Sequence, residues 1–260
     1  MLELYHWEPN AYFLKPLIAL HEKRVPFTSR WFDPTAFEQF APSFPRNSES
    51  SLQLEREGPV LVHDGAIISS SFFLLEYIND VVPGVNLCPG DAYGQYRQRA
   101  WGQVLTAVGS GVSVLGCARY LAPVLRSIEP ATLAQRLEAI EPLERRQSWA
   151  AVMDGTYDDE ALAGVRQRLS APLQRIESAL AADNWLAGAD YSIADIDAFA
   201  LLNPLPRLAA ELLDRNDAPR TLDFLERMRE RPAVQQALSL SRSGNPQEAF
   251  VPGAEASRWG

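Results

Sequence analysis

The chain has 260 residues, of which 47% are hydrophobic, and it carries a formal net charge of −9 with a sequence pI near 4.9. This length and apolar content suffice for one or two domains with their own cores, whereas the acidic balance excludes a basic surface for nucleic acid or an anionic membrane. Two distant cysteines, Cys88 and Cys117, form neither a CxxC pair nor a disulfide framework, as is typical of a reducing, cytoplasmic compartment. The first ten residues lack the basic start and apolar run of a signal peptide, so we expect none there.

The first 83 residues alternate between strand and helix patterns. MLELY alternates apolar and polar side chains as a half-buried strand does, and apolar residues at helical spacing follow it. Proline is tolerated only in the first turn of a helix, so Pro16 predicts that this helix begins close to Phe13. The elements predicted up to residue 57 are strand 1–5, helix 13–23, strand 25–32 and an irregular stretch, 35–57, with one short helix near Phe37.

A hairpin and a helix complete this first part of the chain. Two short apolar runs, 60–62 and 66–68, flank an Asp-Gly pair at 64–65, which is the strongest short-range signal for a hairpin. Serines 69–71 then precede the apolar run FFLLEYIND, and serine in that place is a typical N-cap. The order β-α-β, irregular chain, β-β-α predicts a compact α/β unit with a mixed, four-stranded sheet.

After a turn-rich linker at 84–91, the chain shows helical patterns and no strand pattern. In DYSIADI, Ser192 precedes an apolar run with Asp195 three residues on, which predicts a capping box at a helix start. The uncharged stretch 101–118 contains polar residues and falls short of the roughly 20 apolar residues of a membrane span, so it predicts a buried helix or a subunit contact. A helical domain is expected over 92–242, with helices at 92–122, 129–151, 158–182, 192–202, 219–229 and 232–240, followed by a loose tail over 243–260.

Taken together, these pieces resemble the glutathione transferase superfamily to about residue 242. The most specific parts are Pro59 with its strand and HDG, the YSIADI box, and RMRERPAVQQAL. The resemblance implies a thioredoxin-like N-terminal domain with a mixed sheet, an all-helical C-terminal domain, glutathione as co-substrate, and no metal. FLKP at 13–16, DPTAFEQF at 33–40 and the segment 140–169 are similar to the bacterial β-etherases, which use glutathione to cleave lignin-type aryl ethers.

The resemblance also implies where glutathione would be held. Ser71 stands where the family anchors the γ-glutamyl carboxylate at a helix N-terminus, and Ser70 stands where an acid usually holds the ammonium group. Gly58 precedes Pro59, which the family uses in the cis form beside the cysteinyl unit, although the usual NPxGxVP run is replaced by a longer loop. Gln39 is the remaining residue that the resemblance implies for glutathione binding. The alternative is that the serines only cap a helix.

Thiol chemistry also needs a hydrogen-bond donor for the sulfur. A free thiol of pKa about 8.5 is only a few per cent thiolate at neutral pH. A hydrogen bond to a charged acceptor contributes about 1.5–3 kcal/mol, against about 0.3–1 kcal/mol from a helix terminus. The Ser and Asn of the β-etherase pattern correspond to Phe13 and Tyr12 here, so the usual hydroxyl is missing. We rank Asn10 first as the donor because of its reach, Tyr12 second, and the strand residue Tyr5 third.

Two functions remain open from the sequence. In the first, glutathione thiolate attacks the carbon that bears an aryl ether and a phenol leaves. In the second, the departures at Phe13, at Ser70 and in the loop 47–58 mark a subunit with a degenerate glutathione site, which pairs with a related transferase. Either way we expect an aromatic ether ligand, a homodimer or heterodimer, and no nucleic acid or membrane partner; work on other electrophiles is a weaker third option. The aromatic residues expected around the electrophile are Trp7, Phe13, Phe40, Phe44, Trp101, Tyr120 and Trp149.

Overall fold

A computed structural model of the protein describes residues 1–45, 58–140, 143–154 and 157–253, without the side chains of 71, 72 and 144. Four strands form one mixed sheet in the order β2-β1-β3-β4, in which β1 is parallel to β2 and antiparallel to β3. This confirms the predicted mixed sheet. The strands are β1 Leu2–His6, β2 Thr28–Trp31, β3 Val60–His63 and β4 Ala66–Ser69.

The hairpin between β3 and β4 follows the Asp-Gly prediction. Asp64 and Gly65 both have positive φ angles, 49° and 88°, as the two central residues of a type I′ turn require. His63 and Ala66 pair directly across the turn. A two-residue turn fixes the strand register, so local sequence alone determined this part of the sheet.

Two helices, α1 Ala11–Lys23 and α2 Ser71–Val81, pack against each other beside the sheet. Helix α1 begins at Ala11, two residues before the predicted start, and Pro16 therefore lies in its second turn. The prediction from Pro16 was wrong because this helix accommodates a residue that gives no N–H to its hydrogen-bond ladder. Helix α1 also packs against two helices of the C-terminal part, so it forms the junction between the two halves of the chain.

The described residues of the C-terminal part form helices joined by turns, with one isolated bridge between Trp185 and Gly188. The predicted helix 129–151 is two helices, α5 and α6. The helices are α3 Ala92–Gly116, α4 Ala122–Arg126, α5 Pro130–Glu138, α6 Leu143–Met153, α7 Asp159–Ala182, α8 Ile193–Leu202, α9 Leu205–Leu208, α10 Pro219–Arg229 and α11 Pro232–Leu238.

Helix α3 is the central helix of this part and packs against α7 and α8. The continuous helical segment Ala92–Arg126 is long and apolar enough, by length and composition, to cross a membrane, and 50% of its most apolar window is buried inside the fold. Core helices of globular proteins share this composition, and the contacts with α7 and α8 account for the apolar face. The predicted buried helix is thus observed.

Between α3 and α4 the chain forms a π-helical segment, Cys117–Leu121. The N–H of Ala122 bonds to the carbonyl of Cys117, five residues earlier. A proline ring clashes with the carbonyl four residues before it in an α-helix, so the wider turn lets the helix pass Pro123 without a break. Such π-helical turns are frequent at functional sites.

Helix α8 starts with the predicted capping box. The Ser192 side chain accepts a hydrogen bond from the N–H of Ala194, and the Asp195 carboxylate accepts from the Ser192 N–H and, at 2.9 Å, from the N–H of Leu186. Burial raises the pKa of Asp195 to about 6, although these hydrogen bonds act in the opposite direction. The box therefore fixes the start of a helix whose residues are all buried.

Candidate active site

The turn from β1 to α1 carries the first-ranked thiol donor. Asn10 is 1% exposed, and its Nδ2 donates to the backbone oxygen of Ala249 at 2.9 Å. Its Oδ1 is buried and has no hydrogen-bond partner among the described residues. The next residue, Ala11, has a φ of +42°, an unusual conformation for a residue with a Cβ. The amide is thus at the predicted place, but in this structure it points at the end of the chain.

Tyr12 reaches from α1 to the helical part of the chain, whereas Tyr5 packs within the N-terminal part. A Cβ built at Gly109 of α3 would lie 3.2 Å from the Tyr12 hydroxyl, so that hydroxyl reaches across to the helical part. A Cβ built at Gly253 would also meet it, so the end of the chain passes close by. Tyr5 instead packs edge-on against Phe44, with ring centroids 5.5 Å apart. The structure therefore brings the first two predicted donors together and leaves the third in the strand core.

A buried ion pair, which the sequence analysis missed, lies beside this turn. Lys15 Nζ is 2.6 Å from Asp197 Oδ1, and the two side chains are 5% and 4% exposed. The ammonium also lies 5.0 Å from the centroid of the Tyr12 ring. Lys15 belongs to α1 and Asp197 to α8, so the pair joins the two halves of the chain. The second of two aspartates in the mainly apolar run IADIDAFALL, Asp197, was the signal that could have revealed it, because only Asp195 is explained by the capping box.

The turn from β4 to α2 carries the predicted anchor for glutathione. Ser70 is buried, has a φ of +78°, and its side chain makes no capping hydrogen bond to α2. The prediction that this serine caps the helix was wrong, because N-cap side chains reach the helix amides from an extended backbone and not from a positive φ. Such strain costs about 1–3 kcal/mol and concentrates at functional sites. The role of Ser71 stays a prediction, because its side chain lies outside the description.

The other residues predicted to bind glutathione are Gln39, Gly58 and Pro59. Gln39 is buried, its Nε2 makes a long hydrogen bond of 3.4 Å to the Pro34 carbonyl, and its Oε1 has no partner among the described residues. Gly58 and Pro59 are buried and lead into β3. The described ranges contain no cis peptide bond, so the expected cis form of Pro59 is not observed. The trans form of an X–Pro peptide bond is more stable than the cis form by about 0.5–1 kcal/mol, unless the surroundings favour cis. The rest of the loop 47–58 lies outside the described residues.

Several aromatic side chains proposed as pocket walls belong to the core of the N-terminal part. Phe13 is buried between Trp7 and Phe32, with centroid distances of 6.2 and 5.8 Å in edge-to-face contacts. Phe44 continues this row against Phe32 at 4.8 Å. In this structure the Phe13 ring thus lies in the core with Trp7 and Phe32, and its place in a pocket wall stays a prediction. Phe40 is also buried.

Of the aromatic residues predicted on the helical part, Tyr120 contacts the end of the chain. Tyr120 stacks on Phe250 with a ring-centroid distance of 6.1 Å and an interplanar angle of 8°. Trp149 is fully buried and contacts Phe37 at 4.8 Å. Trp101 lines a different groove, between α3 and α7, where its Nε1 donates to the Leu186 carbonyl at 2.7 Å. The structure therefore does not bring Trp101 and Tyr120 to one pocket.

The tail expected to be loose makes hydrogen bonds to the rest of the fold as far as residue 253. We call residues 241–253 the C-terminal strap. Its start is fixed by Glu8, a buried carboxylate that accepts hydrogen bonds from the Ser241 hydroxyl, the Arg242 N–H and both the N–H and the hydroxyl of Ser243, at 2.6–3.1 Å. The prediction failed because a Gly/Pro-rich composition says nothing about distant acceptors that hold the chain.

Side chains of α3 and α6 hold the far end of the strap. Ser113 donates to the Val251 carbonyl at 2.9 Å and accepts from the Gly253 N–H at 2.7 Å. Arg145, which is buried, donates to the carbonyl oxygens of Pro252 and Gly253 at 2.7 and 3.0 Å. The strap thus contacts both halves of the chain.

Comparison with known proteins agrees with this geometry. The family model "Glutathione S-transferase, C-terminal domain" matches residues 136–232. Protein LigF of Sphingobium sp. strain NBRC 103272 / SYK-6 is 27% identical over 248 residues, covering 93% of this chain and 94% of LigF. The crystal structure of beta-etherase LigF superposes with a TM-score of 0.83 at 26% identity, covering 92% of this chain and 99% of that chain.

The chain is therefore similar to glutathione S-transferases over nearly its whole length. Glutathione S-transferase GstA of Escherichia coli O157:H7 is 26% identical over 183 residues, which are 69% of this chain and 71% of GstA. A Burkholderia graminis glutathione transferase with two glutathione molecules bound per subunit has a TM-score of 0.68 at 23% identity, covering 93% and 88% of the two chains, and so shares the fold. Within the described ranges of this protein, no group of three or more His, Cys, Asp or Glu residues is able to hold a metal.

Proposed function

We propose that this protein cleaves a β-aryl ether with glutathione. The thiolate sulfur forms a bond to the carbon that bears the aryloxy group, the carbon–oxygen bond breaks, and the departing phenolate takes up a proton. The observation that supports this most is the similarity to beta-etherase LigF over 93% of the chain, with a TM-score of 0.83. Positioning does most of the work in such a substitution, because the sulfur must lie in line with the leaving oxygen.

Glutathione would lie along the turn from β4 to α2. The N-terminal amides of α2, a helix of 11 residues, suit the γ-glutamyl carboxylate, and the Ser70 hydroxyl would accept from the ammonium group. The buried Gln39 amide, whose oxygen has no partner among the described residues, would gain one from the tripeptide. The backbone of Gly58 would pair with the cysteinyl unit. A hydroxyl in place of an acid brings no charge, so binding should be weaker than where a carboxylate holds the ammonium.

Asn10 would donate to the thiolate, with Tyr12 as the second candidate. The Asn10 amide stands at the N-terminus of α1, where the helix also favours a negative charge. Its hydrogen bond to Ala249 has to open first, since the same Nδ2 cannot serve both acceptors. A donor that stabilises the thiolate by about 1.5–3 kcal/mol would lower the pKa of the bound thiol by one to two units.

The test is turnover of 2-phenoxyacetophenone with glutathione, followed as release of phenol. The Asn10→Ala variant should lose roughly 10- to 100-fold in kcat/KM, and its pH profile should move to higher pH because the bound thiol ionises less readily. Asn216→Ala, at an exposed site, is the matched control. Unchanged turnover by Asn10→Ala would dismiss the donor assignment, and a purified protein that neither binds glutathione nor releases phenol would dismiss the activity.

A second candidate is a subunit with a degenerate glutathione site that assembles with a related transferase. Two observations favour it: the donor amide of Asn10 is engaged by the strap, and α2 and α3 expose large apolar side chains, namely Phe73 at 42%, Tyr93 at 69% and Tyr96 at 64%. A homodimer in sedimentation that also binds glutathione would contradict this candidate. In either form we propose a dimeric, cytoplasmic protein.

A further inference from the structure

We propose that residues 249–253 of the strap occupy the electrophile subsite as an internal stand-in for the substrate. When the strap leaves, the subsite takes a neutral compound that carries an aromatic ring and, a short distance away, a carbonyl oxygen. The inference rests on the proposed function for the reaction that follows, but the binding it describes does not require glutathione. Each part of the subsite can be read from what the strap contacts.

The aromatic part of the subsite is the seat of the Phe250 ring. This buried ring lies parallel to Tyr120, at 6.1 Å between centroids, in the offset arrangement that aromatic pairs prefer. The ring also packs against Gly116, one helical turn from Tyr120, where a Cβ would overlap it. The missing side chain at Gly116 therefore leaves room for a ring beside Tyr120. An aryl group of a ligand would therefore take the place of Phe250.

The polar part of the subsite is a set of donors that the strap satisfies with backbone carbonyl groups. Arg145 gives its two terminal nitrogens to the oxygens of Pro252 and Gly253, and Ser113 gives its hydroxyl to the oxygen of Val251. A buried guanidinium that loses its acceptors is costly, and hydrogen bonds from charged donors are the strong ones. A ligand that displaces the strap must therefore return an oxygen acceptor to Arg145.

The spacing and charge of the strap narrow the ligand class. Phe250 and Pro252 are two residues apart, so their Cα atoms are separated by at most about 7 Å in an extended chain. The sequence AFVPG at 249–253 has no charged side chain, and within this segment Arg145 donates to the carbonyl oxygens of Pro252 and Gly253. An aryloxy ketone, with a ring and a ketone oxygen separated by a few bonds, has this chemistry.

Release of the strap would also complete the proposed thiol site. The hydrogen bond from Asn10 to Ala249 lies in the same segment as Phe250, so displacement of one opens the other. Substrate entry and exposure of the donor amide are then one event. The fully open state would be populated only in part, and the apparent affinity of the intact chain for an aryl ligand would be reduced by that fraction.

The experiment measures the dissociation constant of 2-phenoxyacetophenone in the absence of glutathione, so that no turnover occurs. Phe250→Ala and a chain that ends at Arg242 should both bind this ketone at least about tenfold more tightly than the full chain. Val124→Ala, at an exposed apolar site on α4, should bind like the full chain. Adding Arg145→Gln to Phe250→Ala should remove the gain. On the unaltered protein, the ketone should speed hydrogen exchange at the Gly253 amide.

Equal affinities, within about twofold, for the full chain and Phe250→Ala would overturn the inference, as would unchanged exchange at Gly253 under saturating ketone. The exchange measurement keeps the test decisive if the shortened chain does not fold. A gain in affinity without any glutathione-dependent phenol release would refute the proposed function and leave the subsite in place. Phenol release together with equal affinities would refute the inference about the strap and leave the proposed function in place.

Discussion

Replacing Lys15 by Met should destabilise the fold strongly, because it leaves Asp197 as a buried carboxylate without its ammonium. The two charges are 2.6 Å apart, with side chains 5% and 4% exposed. At an effective dielectric constant near 20, their attraction is about 6 kcal/mol, which largely offsets the cost of taking both ions out of water. Loss of one partner removes the attraction but not the desolvation of the other. Breaking such pairs costs about 3–5 kcal/mol.

Protonation sets an upper limit on that cost. A side-chain carboxyl of ordinary pKa near 3.9 can be neutralised at pH 7 for about 4 kcal/mol and at pH 5 for about 1.5 kcal/mol. We therefore expect Lys15→Met to lower the free energy of unfolding by about 3–4 kcal/mol at pH 7 and by about 1.5 kcal/mol at pH 5. Urea unfolding at the two pH values, followed by far-UV circular dichroism, measures both.

Lys23→Met provides a matched control within the same helix. Lys23 is equally buried, but its Nζ donates to the Asn79 backbone carbonyl and not to a carboxylate, so its removal leaves no buried charge. Its cost should be about 1–3 kcal/mol and should not shrink at pH 5. The double variant Lys15→Met, Asp197→Asn should recover at least about 2 kcal/mol relative to the sum of the single variants. A cost below about 1 kcal/mol for Lys15→Met at pH 7 would refute the reasoning.

Three further predictions concern the capping box, the strained turn and the strap. Burial raises the pKa of Asp195 from 3.8 to about 6, so its contribution to stability is complete below pH 3.8 and is lost as pH rises through 6. We therefore compare the free energy of unfolding of the native chain with that of Asp195→Asn by urea unfolding. The difference between the two should fall by at most about 3 kcal/mol from pH 4 to pH 7. A difference that stays constant over this range would contradict the prediction. Ser70→Gly should raise the unfolding free energy by about 1 kcal/mol because a φ of +78° suits glycine; a lower thermal midpoint would contradict it. Glu8→Ala should speed amide exchange at Arg242 and Ser243 at least about tenfold, as mass spectrometry would show, and unchanged exchange would mean that Glu8 does not anchor the strap.

The elements predicted correctly from the sequence are those that neighbouring residues determine. The Asp-Gly turn at 64–65 needs only positive φ angles, and the box at Ser192 needs only a carboxylate three residues on. The serines before α2 carry the same local signal, yet Ser70 has a backbone conformation that takes its hydroxyl away from the helix. Its φ depends on the route from β4 into α2, which no local pattern encodes.

The candidate site was predictable in its residues but not in their partners. Asn10 was identified from its place in a strand-to-helix turn, whereas its contact with Ala249 joins residues 239 positions apart. Lys15 was quoted as part of a motif without its partner on α8. The strap was expected to be loose because of its glycine, proline and polar residues, although the run AFV at 249–251 was an apolar signal that needed a place to pack. Distant pairs of this kind depend on the whole topology.

The π-helical segment Cys117–Leu121 makes this stretch unusually tolerant of a change in length. The widened turn already stores one surplus residue, so a single deletion there would tighten it to an ordinary α-turn while α3 and α4 keep their present faces. The same deletion in the middle of α3 would rotate everything after it by about 100°. Loss of one codon in this segment during evolution would therefore replace the side chain that contacts Phe250, now Tyr120, and would leave the positions of α3 and α4 unchanged. Ligand preference would change while the fold stays the same.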